Sequence, residues 1–325
     1  MGELLIKNGM VYSYIYEGYH ALKLQMADVY IKDGLIVEIK PDVNKGCDVL
    51  DASGCLVLPG MVNMGANTFA ARIMSGLLSD RRAGEKQISP MIELAAEIMT
   101  EDEIYAVALA GLWETVSSGA TTIVEKPDAA AGPIVSGLAR AAGALGARYF
   151  EADEDIKNNC CESAVSCAHL GKHYEGWECI RSGAKLTLGT GCHDSCMISE
   201  MRAAACAVKQ HLEDAGAYKA ADVFYSATVA GGRALDPEKF GRIGLGFYGD
   251  LSIVSMDRFA PLSYPLAQYI YSANAGDVRH VVCGGVALKR DYSPDGRLWG
   301  LLAEAREAAR GAILKLWGQA RREIL

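Results

Sequence analysis

The hydrophobic pattern of this chain changes twice along its length, and this change restricts its fold more than any other feature. Residues 1–58 contain short apolar, β-branched runs, which are typical of strands. Residue pairs typical of hairpin turns separate these runs, namely Asn8-Gly9, Asp33-Gly34 and Ser53-Gly54. Similar strand-like runs return from about residue 246. The two β-rich ends flank the centre, and we expect them to share one sheet.

The centre of the chain has a different pattern, in which segments with helical spacing alternate with short buried strands. Thr100 and Glu103 form the capping-box pattern at the start of one helix, and Gly119 follows its end. The strand TTIVE, another helix and the strand ARYFEA come next. This alternation indicates parallel strands and an α/β fold. Residues 293–325 are predicted to form an amphipathic helix of mixed charge.

Composition excludes several classes of protein. The chain has 325 residues, of which 50% are hydrophobic and 22% charged, and a net charge of −8. This balance is typical of globular proteins and argues against a nucleic-acid partner. The first apolar run contains Glu3 and Lys7, unlike a signal peptide, and no long uncharged apolar run is present. We therefore expect no membrane partner and a cytoplasmic location.

Ten cysteines raise the question of a metal or redox site. Seven of them lie between Cys160 and Cys206, but none forms a CxxC pair. Without a secretory signal, reduced thiols are favoured over disulfides, and the spacing does not favour a metal cluster. His169 and His173 have the spacing of a zinc pair on a helix, but Gly171 between them argues against a helix there.

Several segments, taken in order, resemble one enzyme family. They are LLIKNGMVYS, DASGCLVLPGMVN, TEDEIYAVALAGLWETVSSGATTIVE, AKLTLGTG, SATVAGGRAL and GDLSIVSMD. Their order and spacing resemble the amidohydrolase superfamily, with the cytosine-deaminase and chlorohydrolase type as the closest branch. The resemblance implies a metal-dependent hydrolase fold, an α/β architecture with a TIM-like (β/α) barrel and a β-sandwich built from both chain ends. Its expected boundaries are 1–58 with 246–292 for the sandwich, 59–245 for the barrel and 293–325 for the terminal helix.

The resemblance also implies where a metal would bind. In this family a divalent ion activates a water molecule that attacks a carbon atom of the substrate. The first two ligands are a His-x-His pair after the PGxVN turn, and Gly65 and Asn67 stand at those positions here. The late aspartate after LGT is replaced by Gly191, with Asp194 three residues on. Glycine has no ligand atom, so the resemblance implies a degenerate metal site.

The chain is also short for this fold. Only about eight residues, Asp153 to Cys160, join segments that the family separates by several strands and helices. A full barrel needs about 250 residues, more than the segment from Pro59 to Leu235 provides. We expect a partial barrel of four or five strands. Its open edges predict an obligate oligomer. Either the run CCESAVSCAHLGKHYEGW or the C-terminal helix could cover part of these edges, but the helix is too narrow to cover several strands.

The candidate catalytic residues lie where the predicted barrel strands end. They are Asn67, Glu125, Lys126, Cys192, His193 and Asp194, with Glu151 and Asp153 nearby. Glu125 and Lys126 are interpreted either as an acid/base pair or as a strand-end ion pair. Cys192 and His193 suit a nucleophile and its base, but neighbours on an extended strand point to opposite faces.

Two functions stay open on this basis. The first is an amidohydrolase-related binding or assembly subunit without catalysis. Its partner would be a second copy, a related full-length subunit or a small heterocyclic ligand. The alternative is an active amidohydrolase or deaminase of a small nitrogen heterocycle with a relocated site. No cofactor is expected for the first function, and a divalent zinc or iron ion is expected only for the second.

Overall fold

The structure, a computed structural model, describes most of the chain. The described residues are 2–14, 22–75, 87–126, 132–153, 186–192, 195–259 and 263–323. The strands are β1 (Glu3–Tyr14), β2 (Leu22–Lys32), β3 (Leu35–Lys40), β4 (Asp48–Asp51), β5 (Cys55–Pro59), β6 (Met61–Ala66), β7 (Ala120–Glu125), β8 (Arg148–Glu151), β9 (Leu251–Ser255), β10 (Val278–Cys283), β11 (Val286–Arg290) and β12 (Ser293–Pro294). The helices are α1 (Thr68–Ile73), α2 (Ile88–Ile98), α3 (Glu101–Ser117), α4 (Gly132–Leu145), α5 (Met197–Leu212), α6 (Ala220–Tyr225), α7 (Gly231–Leu235), α8 (Pro265–Ser272) and α9 (Gly296–Glu323).

Nine strands from the two ends of the chain form one sheet. Its order is β12-β11-β10-β9-β5-β1-β2-β3, with β4 also paired to β1. The junction between the chain ends is the antiparallel pair β5–β9, in register from Cys55 opposite Ser255 to Pro59 opposite Leu251. This pairing confirms that the two β-rich ends share a sheet. The division of this sheet into two sandwich layers stays a prediction.

The three predicted hairpin turns have different outcomes. Asp33-Gly34, both with positive φ, connects the antiparallel strands β2 and β3 as predicted. Asn8-Gly9 instead lies inside β1, at a register shift in the pairing with β2. A Cβ on Gly9 would lie 2.4 Å from Cγ2 of Val57 on β5, so close packing explains the glycine. Ser53-Gly54 connects β4 to β5, which both run parallel to β1, so this turn does not close a hairpin.

A second, parallel sheet lies in the centre of the chain, in the order β6-β7-β8. Residues 186–192 run along the free side of β6, where the N–H of Met64 donates to Leu188 O (2.8 Å) and the N–H of Gly191 donates to Gly65 O (2.8 Å). Four parallel chain segments therefore lie side by side. They form no closed barrel within the ranges given above.

Helices cover both faces of this parallel sheet. Helices α3 and α4 pack together beside one face, and a π-helical turn at Ser226–Ala230 joins α6 to α7 on the other. Gly231 is needed here, since a Cβ on it would lie 2.7 Å from Cγ of Met64. The capping box predicted at Thr100 and Glu103 is confirmed, with both reciprocal hydrogen bonds present.

The C-terminal helix α9 packs on α3 and α2. Its buried stripe consists of Leu298, Leu302, Ala305, Ala309, Ala312, Leu316 and Ala320. Trp317 Nε1 donates to Ile73 O (2.8 Å), and Lys315 pairs with Glu103 (2.9 Å). Helix α9 also contacts β12, and its part in covering a barrel opening stays a prediction. No described helix is long and apolar enough to cross a membrane.

One ion pair connects the two sheets. Arg148, at the start of β8, holds Asp250 with Nε–Oδ2 2.7 Å and Nη2–Oδ1 3.1 Å. Asp250 also accepts the N–H of Gly284 (2.7 Å), and the Arg148 guanidinium lies 3.8 Å from the ring centre of Tyr248. The side chain of Asp250 is only 9% exposed, so solvent screens this pair weakly.

Candidate functional site

The carboxyl end of β6 holds the first two predicted ligand positions. Asn67 is half-buried and caps helix α1, where its Oδ1 accepts the N–H of Ala70 (3.3 Å). Its own N–H donates to Gly191 O (3.0 Å). The only oxygen of this side chain that could bind a metal therefore already serves as a helix cap.

Gly65, the other position, lies against two neighbours. A Cβ on Gly65 would lie 3.7 Å from Nζ of Lys126 and 3.9 Å from Cα of Gly189. A Cβ on Gly189 would lie only 2.4 Å from N of Gly65, so the two backbones touch. The ammonium of Lys126 lies beside the position where the resemblance places the first ligand, and its charge repels a divalent cation.

Gly191, which replaces the late aspartate, has a positive φ of 58°. Glycine adopts this left-handed conformation at no steric cost. Gly191 is bonded through its backbone to both Gly65 and Asn67. The three ligand positions therefore lie together but offer no free donor, and no cluster of three metal-binding side chains occurs in the part of the chain that the structure describes.

Glu125 ends β7 and is fully buried. Its carboxylate accepts the N–H of Thr68 (2.7 Å) and contacts Thr68 Oγ1 (3.1 Å and 3.2 Å) at the start of helix α1. Burial raises the pKa of Glu125 to about 7, although these hydrogen bonds act in the opposite direction. A carboxyl with this pKa exists in both protonation states near neutral pH.

Glu125 and Lys126 do not form the predicted pair. As neighbours on a strand they point to opposite faces, and Glu125 bonds to Thr68 instead. The Lys126 side chain is half-buried and forms no ion pair with any residue inside the described ranges. An ion pair between these two side chains is therefore absent from the structure, whereas an acid/base role of either residue stays a prediction.

Buried polar contacts hold this end of the sheet together. Asn63 Nδ2 donates to Thr190 Oγ1 (2.9 Å), and its Oδ1 accepts the N–H of Thr190 (3.1 Å). Both residues are buried, so the contact joins β6 firmly to residues 186–192. Sequence analysis missed Asn63, Thr68 and Gly189. The Asn67-Thr68 capping pattern was the available signal for Thr68.

The structure describes only some of the remaining candidates. Cys192 is half-buried against the helical core, whereas Glu151 and Asp153 are exposed. His193 and Asp194 lie outside the described residues, as do His169 and His173. The structure therefore positions Cys192 but leaves its pairing with His193 a prediction.

Comparisons with known proteins bear on this site. Residues 157–288 match the amidohydrolase family. The resemblance to the amidohydrolase superfamily is confirmed. A 5'-deoxyadenosine deaminase of Methanopyrus kandleri is 32% identical over 114 residues, which are 33% of this chain and 26% of that protein. A 5-methylthioadenosine/S-adenosylhomocysteine deaminase of Thermococcus sibiricus is 32% identical over 123 residues, 38% of this chain and 27% of that protein. The chain thus spans about a quarter of the length of these relatives.

Solved structures of amidohydrolase-type enzymes share this fold. An adenosine deaminase from Xanthomonas campestris with bound zinc matches 96% of this chain and 98% of its own, with a TM-score of 0.74 at 18% identity. An atrazine chlorohydrolase from Arthrobacter aurescens complexed with zinc matches 95% of this chain and 100% of its own, with a TM-score of 0.79 at 14% identity. At these identities the likeness concerns the fold alone.

Proposed function

We propose that this amidohydrolase-related chain does not perform metal-dependent hydrolysis and acts as a binding or assembly subunit. One observation carries the proposal: the Lys126 ammonium lies beside Gly65, where the family's first metal ligand would stand. A metal in this place would lack the ligand at Gly65, compete with a helix cap for Asn67 and face a positive charge. The residues present do not fit the metal, so no reaction step is assigned to one.

Metal content tests this proposal directly. The full chain, produced with zinc in the medium and dialysed without strong chelator, is expected to carry well below one equivalent of zinc, iron or manganese. Lys126→Met removes the charge but adds no ligand and is expected to remain without metal. Stoichiometric metal that is lost when Asn67 is replaced by Ala would contradict the proposal, because it would place the ion at these strand ends.

The assembly part of the proposal rests on β8, the outer described strand of the parallel sheet. Among the described strands β8 pairs with β7 alone. An unpaired strand edge invites pairing with another chain. We propose a symmetric dimer, or a complex with a related full-length subunit, that buries more than about 2,000 Å² in total. Light scattering at low micromolar concentration tests it, and a stable 34.7 kDa monomer would contradict it.

The second candidate is an active hydrolase of a small nitrogen heterocycle with a relocated site. Two observations favour it: the sequence relatives are named as deaminases, and the pKa of buried Glu125 lies near 7, within the range of a general acid or base. Ammonia release from 5'-deoxyadenosine and 5-methylthioadenosine, with and without added zinc or iron, tests it. Activity that Glu125→Gln abolishes would establish this function and exclude the first.

A further inference from the structure

An open cavity of about 760 Å³ is lined by residues other than those at the parallel strand ends described above. It lies between the last turn of α5, the first turn of α6, the start of α8 and the side of β1. Lys209 at its rim lies 13 positions after Cys196, the residue that precedes α5. At 1.5 Å per residue, Lys209 is about 20 Å along the helix from Cys196. None of the residues that line the cavity belongs to the site of the proposed function.

Aromatic and small apolar side chains form the walls of this cavity. Three tyrosines, Tyr12, Tyr264 and Tyr271, line it together with Leu266 and several alanines. The Tyr12 ring packs edge-on against Phe224, with centroids 6.5 Å apart, which fixes this wall. The lining residues at the start of α6 are Ala220 and Ala221, whose side chains are small. The volume lies within the range of sites for small organic ligands.

The charges at the rim all have one sign. Lys209 and Lys219 contribute to the lining, and no Asp or Glu does so among the described residues. This is opposite to the net charge of −8 of the whole chain. Nζ of Lys209 donates to Ala215 O (2.9 Å) and to Ala217 O, which holds the ammonium in place and leaves its third N–H for a ligand.

We propose that this cavity binds a planar aromatic molecule that carries a carboxylate or a phosphate. The rings and the leucine supply contact area for the planar part, and aromatic pairs add to this through stacking. The two ammonium groups select a negative charge over a neutral substituent of the same shape. Neither contribution involves Gly65, Asn67 or Glu125, so the inference is independent of the proposed function.

Calorimetric titration of the full chain with 2-naphthoate and its neutral analogue 2-naphthalenemethanol tests the proposal. We expect saturable binding of one naphthoate per chain, at least about tenfold tighter than the alcohol, as a single charge-assisted contact provides. Lys219→Met is expected to remove the preference for naphthoate over the alcohol. Tyr264→Ala is expected to weaken the binding of both ligands. Titration with 2-naphthyl phosphate assigns the charge, since the tighter of the two anions identifies the ligand class.

Two variants control for unspecific effects. Lys239 is the matched control for the lysines of the cavity, because its Nζ, like that of Lys209, donates to a backbone carbonyl, that of Gly246 (3.2 Å). Lys239→Met removes this lysine. Trp299→Ala removes an exposed aromatic ring outside the cavity. Both are expected to bind naphthoate as the unmodified chain does. The proposal is overturned if naphthoate does not saturate, if the alcohol binds equally well, or if the control variants weaken binding as much as Lys219→Met.

Discussion

The two sheets of this protein differ in how their edges are closed. In the nine-stranded sheet the edge strand β3 is covered by residues 247–249, which precede β9: Ile36 N donates to Phe247 O (2.8 Å) and Gly249 N donates to Gly34 O (2.8 Å). The parallel sheet has no such closure at β8 within the described residues. From this comparison we expect the sheet built from both chain ends to supply most of the stability. The edge of β8 is the place where the partner proposed above would pair.

Deleting residues 1–55 tests the first half of this comparison and has the largest expected effect. The deletion removes β1 to β4 and exposes the buried apolar faces of Leu251, Ile253 and Val282. We expect the fragment 56–325 to aggregate or to lose its cooperative thermal transition, measured by circular dichroism after size exclusion. A soluble fragment that melts cooperatively would break the comparison.

The next prediction concerns the contact between the sheets. Replacing Arg148 by Ala leaves the Asp250 carboxylate buried without its partner, which costs about 3–5 kcal/mol of unfolding free energy. The matched control is Arg140→Ala, because Arg140 pairs with Asp102 on the surface (3.1 Å) and this loss costs about 1 kcal/mol or less. Urea unfolding measures both. Equal losses would mean that the two sheets do not depend on this ion pair.

Glu125 makes the stability of the parallel sheet depend on pH. Its pKa is raised from 4.5 to about 7, so the folded chain binds the proton more tightly than the unfolded chain. Unfolding free energy should therefore fall as pH rises from 4.5 to 7, by about 3 kcal/mol at most, and Glu125→Gln should abolish this fall. Urea unfolding across this range measures the slope.

Glu103 provides the control for this slope. The N–H of Thr100 and the ammonium of Lys315 lower its pKa, so its stabilisation is present above 4.5 and is lost as pH falls through the lowered pKa. Glu103→Gln should remove a slope of the opposite sign at lower pH. An unchanged slope between pH 4.5 and 7 in Glu125→Gln would contradict the assignment to Glu125.

The smallest expected effect distinguishes two glycines at the candidate site. Gly189→Ala places a methyl group 2.4 Å from the backbone N of Gly65 and should cost about 1–3 kcal/mol through overpacking. Gly65→Ala meets its neighbours at 3.6 Å or more, so we expect little loss. Thermal melting of both variants measures the difference. Similar melting temperatures would mean that β6 and residues 186–192 can move apart to accommodate the added methyl group.

Local sequence patterns predicted much of the fold. Patterns among near neighbours were enough to predict the Asp33-Gly34 hairpin and the Thr100–Glu103 capping box. A periodicity of two was enough to predict the strands at both chain ends. Asn8-Gly9 misled the same reasoning, because the side chain of Val57, far along the chain, determines the role of Gly9. Local chemistry therefore fails where a distant strand packs against the turn.

The sequence by itself determined which ligand atoms are missing, because Gly65 and Gly191 carry none in any fold. Only the tertiary structure decided which groups lie next to these positions. Contacts between distant positions, such as Glu125 with Thr68 and Arg148 with Asp250, depend on how strands are ordered and how far each side chain reaches. The position of Lys126 beside Gly65 is of the same kind. A strand's periodicity gives the face of a side chain, whereas its partner is set only when the sheet has formed.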